Sequence, residues 1–273
     1  VSGWSAEDVI IVWVANQANH ITGNAANPNM IYSIHRDAEG WKTPPVLLPD
    51  TNPSIFARPI LGHDVAYTIA AGFNSGTALV VDMDDDTATD TDREIYRIIR
   101  YSRADQYGER WDTRWQRMTN DLIADANPQM LIDAAGNSEY YWIHGNTIVS
   151  APLSDFNVTT QVSLDAYSSN LSSFRVAESA NGRNVVCWSE PSEYGSDLWA
   201  VFRDPTTNTW GNPQQLTSDP FVERQTACAF FGNDTVVFLY DRVTVETSVI
   251  PHEAASGPTV QVVRRLLGSA SLA

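Results

Sequence analysis

The chain repeats one short frame at least four times, and this repetition constrains its fold more than any other feature. Each copy has a short strand-like segment that ends in aspartate, then a polar loop and a strand of small and apolar residues. A tight turn and a strand with a central aromatic residue follow. The terminal aspartates are Asp50, Asp121, Asp165 and Asp219. Because each copy is too small to bury its own apolar face, neighbouring copies must stack to form a core.

The repeat length indicates the architecture. Once residues 74–93 are set aside as an insertion, the period is about 45–50 residues, which with four short strands is typical of a propeller blade. No 3.6-residue apolar period persists over ten residues, so we expect very little helix. We predict an all-β chain, a β-propeller of four-stranded antiparallel blades, with five blades favoured and six as the alternative. Residues 1–273 are expected to form one domain, which could belong to a larger secreted protein.

Glycine and asparagine mark the predicted hairpins. Tight turns fall at residues 62–64, 135–137, 181–183 and 232–234, where Gly or Asn can adopt a positive φ. In the second blade we assign the innermost strand to "FARPIL" (56–61) and the next strand to "VAYTIA" (65–70). Residues 74–93 then form a long connection before the third strand.

The turn between the third and fourth strands of three repeats carries a related motif. The segments are "HRDAEGW" (35–41), "SRADQYGERW" (102–111) and "RDPTTNTW" (203–210). They resemble the Asp box, S/T-x-D-x-G-x-x-W, of bacterial sialidase-type propeller repeats, although the spacing is altered and the last segment has no Gly. The resemblance implies a propeller fold and a structural turn whose Trp docks between strands. It does not imply catalysis.

The connections between second and third strands differ strongly in length. They are long in blades five, one and two, which are neighbours in a five-bladed ring, so the long loops cluster on one side of one face. Loops on a rigid scaffold often carry binding residues. We therefore predict a glycan- or protein-recognition module, with ligand-binding candidates His20, Asn24, Tyr194, His252 and Glu253.

The segment "DMDDDTATD" is a candidate metal site. Its carboxylates occupy positions 1, 3, 5 and 9 of a short loop, a spacing that suits a hard cation such as Ca²⁺. It resembles the calcium loops of integrin-type propellers, except that Thr87 stands where those loops have Gly. The predicted ligands are Asp82, Asp84, Asp86 and Asp90, with a solvated acidic loop as the alternative.

The alternative function is a glycoside hydrolase, sialidase-like or arabinanase-like. Such an enzyme needs two or three converging carboxylates with a raised pKa on one of them, whereas a glycan binder would present aromatic rings and amides there. The carboxylate candidates are Asp125, Asp133, Glu178 and Glu190. Arg58 precedes Pro59 in a segment that partly matches the F-R-I-P motif of sialidases.

Composition excludes several other classes. The net charge of −16 opposes binding to nucleic acid. No apolar run is long enough to form a membrane-spanning helix. Cys187 and Cys228 lie within predicted strands, where a buried free thiol is the commonest state; a disulfide between them is the alternative. We expect an extracellular or cell-surface protein.

Overall fold

The computed structural model of the chain describes residues 2–5, 8–15, 30–47, 67–73, 76–84, 93–101, 110–111, 115–132, 137–152, 162–167, 174–193, 195–246, 259–266 and 270–271. All regular elements within these ranges are β-strands. Across the same ranges, no helix is long and apolar enough to cross a membrane. The chain divides into two compact units, Val1–Ser163 and Leu164–Ala273. Each unit is described by itself.

The first unit holds three sheets, each an antiparallel meander in chain order. The first sheet comprises β1 (Ser2–Ser5), β2 (Asp8–Ala15), β3 (Met30–Asp37) and β4 (Gly40–Leu47). The second comprises β5 (Tyr67–Phe73), β6 (Gly76–Asp84), β7 (Arg93–Tyr101), β8 (Arg110–Trp111) and β9 (Gln116–Arg117). The third comprises β10 (Asp125–Ile132), β11 (Ser138–His144), β12 (Thr147–Pro152) and β13 (Val162–Tyr167), the last of which crosses the division.

The second unit repeats the meander twice. One comprises β14 (Phe174–Glu178), β15 (Asn184–Pro191), β16 (Ser196–Asp204), β17 (Thr209–Trp210) and β18 (Gln214–Gln215). The other comprises β19 (Val222–Phe231), β20 (Thr235–Glu246), β21 (Thr259–Leu266) and β22 (Ala270–Ser271). A short parallel bridge joins β16 to β19 at Ser196 and Val222. A Cβ on Gly195 would meet the Phe221 carbonyl oxygen at 2.0 Å, so this approach requires glycine.

The cores lie between the faces of successive sheets. In the first unit β6 is buried on both faces, because Leu79 packs with Ile10 of the first sheet while Val80 packs with Trp142 of the third. In the second unit Val185 and Phe238 share one apolar cluster. Burial of both faces explains why the central strands are nearly continuous apolar runs, as in "ALVV".

The predicted fold class is confirmed. The described chain is all-β, and its four-stranded antiparallel sheets have the strand order of propeller blades. The blade count, the closure of the ring and the single domain stay predictions.

The strand assignment in the second sheet was wrong. Residues 74–93 are not a long connection, because Gly76–Asp84 forms β6, the second strand of the sheet. The segment assigned to that second strand overlaps β5, which is the first. The apolar run of β6 does not fit the predicted repeat length and was therefore assigned to an insertion. It is a strand whose two faces are both buried. The segment "FARPIL" lies outside the described residues.

Two predicted hairpin turns are confirmed by their backbone angles. Gly182 has a φ of 81° and Gly232 a φ of 73°, values that favour glycine. The turns at 62–64 and at 135–136 lie outside the described residues.

Two of the three Asp-box-like segments are described in full and form turns with altered details, while residues 102–109 of the second segment lie outside the described residues. Asp204 Oδ1 accepts hydrogen bonds from the backbone N–H groups of Thr206 and Thr207. Asn208 has a φ of 57°, so it supplies the left-handed residue that Gly provides in the motif. In the first sheet Trp41 is 45% exposed, so it does not dock between strands as the resemblance implies. Trp210 is half-buried and lies beneath the Arg203 guanidinium.

Candidate functional site

The candidate site lies at one end of the β10–β11 hairpin, around a buried carboxyl group with a raised pKa. Asp125 is the first residue of β10, and antiparallel pairing places it opposite His144, the last residue of β11. Asp125 is fully buried, whereas the His144 side chain is 19% exposed. A buried carboxyl group thus adjoins a histidine that reaches the surface.

The two oxygens of the Asp125 carboxyl group have different surroundings. Oδ1 accepts a hydrogen bond from Trp142 Nε1 and contacts His144 Nδ1, each at 2.8 Å. Among the described residues, Oδ2 has no hydrogen-bond partner. The nearby Thr119 hydroxyl has one proton and donates it to Glu94 Oε2. A proton on Asp125 would therefore reside on Oδ2.

Burial raises the pKa of Asp125 to about 6, although Thr119 and His144 act to lower it. Desolvation disfavours the charged form of a carboxyl group. A carboxyl group with this pKa exchanges its proton near neutral pH, which is what a general acid or base requires.

A second carboxylate completes the group. Asp121 is partly buried and lies in the connection that leads into β10. Single oxygen or nitrogen atoms of Asp121, Asp125 and His144 lie within 4.8 Å of one another. This spacing admits a shared proton or a small cation. We call the surrounding group the histidine cluster; it comprises Thr119, Asp121, Asp125, Trp142 and His144.

A neighbouring ion pair fixes the position of Thr119. Glu94 is fully buried and accepts hydrogen bonds from Arg117 Nη2 at 2.7 Å and from the Asp121 backbone N–H at 2.9 Å. Thr119 Oγ1 accepts the Ile95 backbone N–H at 2.9 Å. Burial raises the pKa of Glu94, against the lowering effect of these donors. These hydrogen bonds thus hold Thr119 and the backbone of Asp121, two members of the histidine cluster, in place.

The second unit contains a related group, which we call the arginine cluster; it comprises Thr217, Asp219, Glu223, Tyr240 and Arg242. Glu223 is the second residue of β19 and pairs with Arg242 of β20. Arg242 forms an ion pair with Asp219 and lies 4.0 Å from Glu223 Oε1. Burial raises the pKa of Glu223.

The predicted calcium ligands are only partly described. Asp82 Oδ1 forms an ion pair with Arg93 at 2.8 Å, and Oδ2 accepts the Asn127 backbone N–H at 2.8 Å. Asp82 and Asp84 lie at the end of β6 rather than in a loop. Asp86 and Asp90 lie outside the described residues, so the calcium site stays a prediction.

Two further catalytic candidates, Glu178 and Glu190, lie far apart along neighbouring strands. Glu178 ends β14 opposite Asn184, while Glu190 lies near the far end of β15, opposite Asp197. Asn184 and Glu190 are six residues apart on β15, so Glu178 and Glu190 are separated by about 20 Å along the strand direction at the usual rise. Glu190 is half-buried and accepts a hydrogen bond from Trp188 Nε1 at 3.4 Å. Asp133 and Arg58 lie outside the described residues.

The predicted recognition loops are not described. All five ligand-binding candidates lie outside the described residues; they are His20, Asn24, Tyr194, His252 and Glu253. The loop-based recognition site therefore stays a prediction.

Sequence reasoning singled out Asp125 but missed Asp121 and His144 as site residues. Sequence analysis identifies Asp121 only as the end of a repeat and does not single out His144. Hairpin symmetry does not find the histidine either, because the register beside the turn, Ile132 with Ser138, would place residue 125 opposite residue 145. The irregularity between Ala126 and Gln129 shifts the pairing by one residue and brings Asp125 opposite His144.

No protein-family model matches the chain, and no curated protein matches it. Several solved structures are similar at low identity. The K499G mutant of NanB sialidase from Streptococcus pneumoniae is 13% identical with a TM-score of 0.48, over 78% of this chain and 32% of that chain. The leech intramolecular trans-sialidase complexed with 2,7-anhydro-Neu5Ac is 13% identical with a TM-score of 0.45, over 78% and 33%.

An endo-arabinase from Bacteroides thetaiotaomicron is 9% identical with a TM-score of 0.46, over 96% of this chain and 94% of that chain. The chain spans about a third of the length of the two sialidases, 32% and 33%. All three identities are below 25% and all three TM-scores are below 0.5. These likenesses therefore assign no activity to this chain.

Proposed function

We propose that the chain is a β-propeller glycoside hydrolase whose chemistry takes place at the histidine cluster. One observation carries the proposal: burial raises the pKa of Asp125 to about 6 while a second carboxylate, Asp121, lies within 4.8 Å of it. Two carboxyl groups near one glycosidic bond, one of them with a raised pKa, meet the requirement for cleaving it. The groups of this site that reach the surface are a carboxylate and an imidazole, Asp121 and His144, while the ring of Trp142 is buried.

The burial of each group suggests its role. Asp121 and His144 reach the surface, so they are the groups that contact substrate. Asp125 is fully buried and acts as a positioning residue, because its hydrogen bond with Nδ1 orients the imidazole ring and its carboxyl group can hold a proton. In the proposed reaction His144 donates a proton to the departing glycosidic oxygen and takes one back from the water that hydrolyses the glycosyl intermediate.

Asp121 is the proposed nucleophile. It reaches the surface, and one of its oxygen atoms lies within 4.8 Å of a ring nitrogen of His144, the proposed acid. Asp121 would attack the anomeric carbon as the glycosidic C–O bond breaks, and water would then hydrolyse the glycosyl ester.

Charge favours a neutral sugar as the substrate. The chain has a net charge of −16, and the carboxylates Asp121 and Glu94 lie at the site with Arg117, which already pairs with Glu94. An anionic sugar would be repelled from such a site. A neutral glycoside is therefore the proposed substrate class.

The test is a hydrolysis screen with aryl glycosides of neutral sugars and an aryl sialoside, with the chain also applied to a glycan array. We expect release from at least one neutral glycoside. In Asp121→Asn we expect the rate to fall at least about 10²-fold, the usual contribution of such a group.

Glu223→Gln is the matched control, because Glu223 occupies the position of Asp125 in the arginine cluster. It should keep the wild-type rate, whereas Asp125→Asn should lose most of it and change the pH profile. Glycan binding without any hydrolysis would reject the proposal and favour the recognition module. Equal losses in the two variants would show that both clusters are structural.

A further inference from the structure

The fold brings the two cysteines of the chain together within the second unit. Cys187 lies on β15 and Cys228 on β19, in different meanders of that unit. Cys187 is fully buried in an apolar cluster, and the partly buried Cys228 packs against the same cluster. Both are free thiols in this structure.

One backbone group links the two cysteines. Arg175 on β14 is the antiparallel partner of Cys187, and Cys228 Sγ lies 3.7 Å from the Arg175 carbonyl oxygen. Burial, followed by the neighbouring Cys228 thiol, raises the pKa of Cys187 well above its usual range. Cys228 is the more exposed of the two cysteines, so it is the thiol that an external oxidant reaches first.

We propose that Cys187 and Cys228 form an oxidation site, a dithiol that small disulfide oxidants convert into an intramolecular disulfide joining β15 to β19. The Cys228 thiolate attacks one sulfur of oxidised glutathione, and one glutathione thiolate leaves. The Cys187 thiolate then attacks Cys228 Sγ in the mixed disulfide, and the second glutathione thiolate leaves. Two cysteine protons are released, and one glutathione disulfide is reduced to two thiols.

The disulfide would close a loop that contains β16, β17 and β18. Cross-linking residues separated by such a loop lowers the conformational entropy of the unfolded chain. The oxidised form should therefore unfold at a higher temperature, by about 5 °C or more for a chain of this size. Reduction should reverse the shift.

The experiment incubates the full chain with oxidised glutathione at pH 8, then counts thiols in denaturant with Ellman's reagent and records the intact mass. Wild-type protein should lose both thiols and the mass of two hydrogen atoms, with one non-reduced peptide pair containing Cys187 and Cys228. Cys187→Ser should stop as a glutathione adduct on Cys228. Cys228→Ser should keep its buried Cys187 thiol unmodified.

Two outcomes would overturn the proposal. Wild-type protein that keeps both thiols would show that the sulfur atoms cannot meet, and wild-type protein that stops as the Cys228 adduct would show the same. The two serine variants should have wild-type melting temperatures when reduced, within about 3 °C, which separates loss of the bond from loss of packing.

Discussion

The histidine cluster and the arginine cluster occupy equivalent positions of the repeat, but their basic residues differ: His144 in the first and Arg242 in the second. In both, a threonine hydroxyl accepts a backbone N–H of the third strand: Thr119 from Ile95 at 2.9 Å and Thr217 from Leu198 at 2.8 Å. In both, a carboxyl group at the start of a meander lies opposite a basic residue at the same register. The shared frame shows that the repeat builds this group of contacts by itself.

The difference lies in the basic residue. Arg242 carries a permanent charge and pairs with Asp219 beside Glu223. His144 has no permanent charge, and it adjoins a carboxyl group whose pKa is about 6. The same frame thus gives a fixed ion pair in one unit and an exchangeable proton in the other.

The largest expected effect comes from giving the histidine cluster a permanent cation. In His144→Arg the fixed charge would lower the pKa of Asp125, so we expect the proposed hydrolysis to fall at least about 10²-fold. Folding should persist, because arginine occupies the equivalent position in the arginine cluster. Hydrolysis rates and thermal unfolding check both expectations; unchanged hydrolysis would remove His144 from the mechanism.

The next effect is the loss of the fixed ion pair. Arg242→Ala leaves the fully buried Glu223 without its cation, and we expect a loss of about 3 kcal/mol of unfolding free energy, the low end for buried pairs because Arg242 is 18% exposed. Denaturant unfolding measures the change. Arg183→Ala is the control: its pair with Asp234 is more exposed, 27% and 70%, so we expect at most about 1 kcal/mol.

The pH dependence of stability tests Asp125 itself. Its pKa rises on folding, from 3.8 to about 6, so folding favours the protonated form. Its contribution is complete below pH 3.8 and is lost as the pH rises through 6, a loss of up to about 3 kcal/mol. Unfolding titrations should show this fall in wild type. Glu94 and Glu223, whose pKa values burial also raises, add to this fall. Asp125→Asn should remove only the Asp125 share, and Glu223→Gln should keep that share; a flat wild-type profile would contradict the raised pKa values.

The smallest expected effect tests the shared frame. Thr119→Val and Thr217→Val each remove a hydroxyl that accepts a backbone N–H and donates to a buried carboxylate. We expect each to cost about 1–3 kcal/mol of unfolding free energy, because the partners stay buried. The two losses should agree within about 1 kcal/mol, and a loss in only one variant would show that the clusters are not equivalent.

Much of the architecture followed from local pattern. The repeat frame predicted the strand-rich fold, and Gly182 and Gly232 marked two hairpin turns, because a turn that needs a positive φ is a local property of the sequence. The second sheet was misassigned, because an apolar run such as that of β6 does not reveal whether one face or two will be covered.

The sequence by itself determined the all-β class, the four-stranded meanders and the candidacy of Asp125, since these depend on the order of residues along the chain. Only the tertiary structure decided that Asp125 adjoins His144 and Asp121 in a buried place, and that Cys187 adjoins Cys228. Burial and the meeting of distant strands change a pKa or pair two thiols through short-range solvation and contact, which the order of residues does not encode locally.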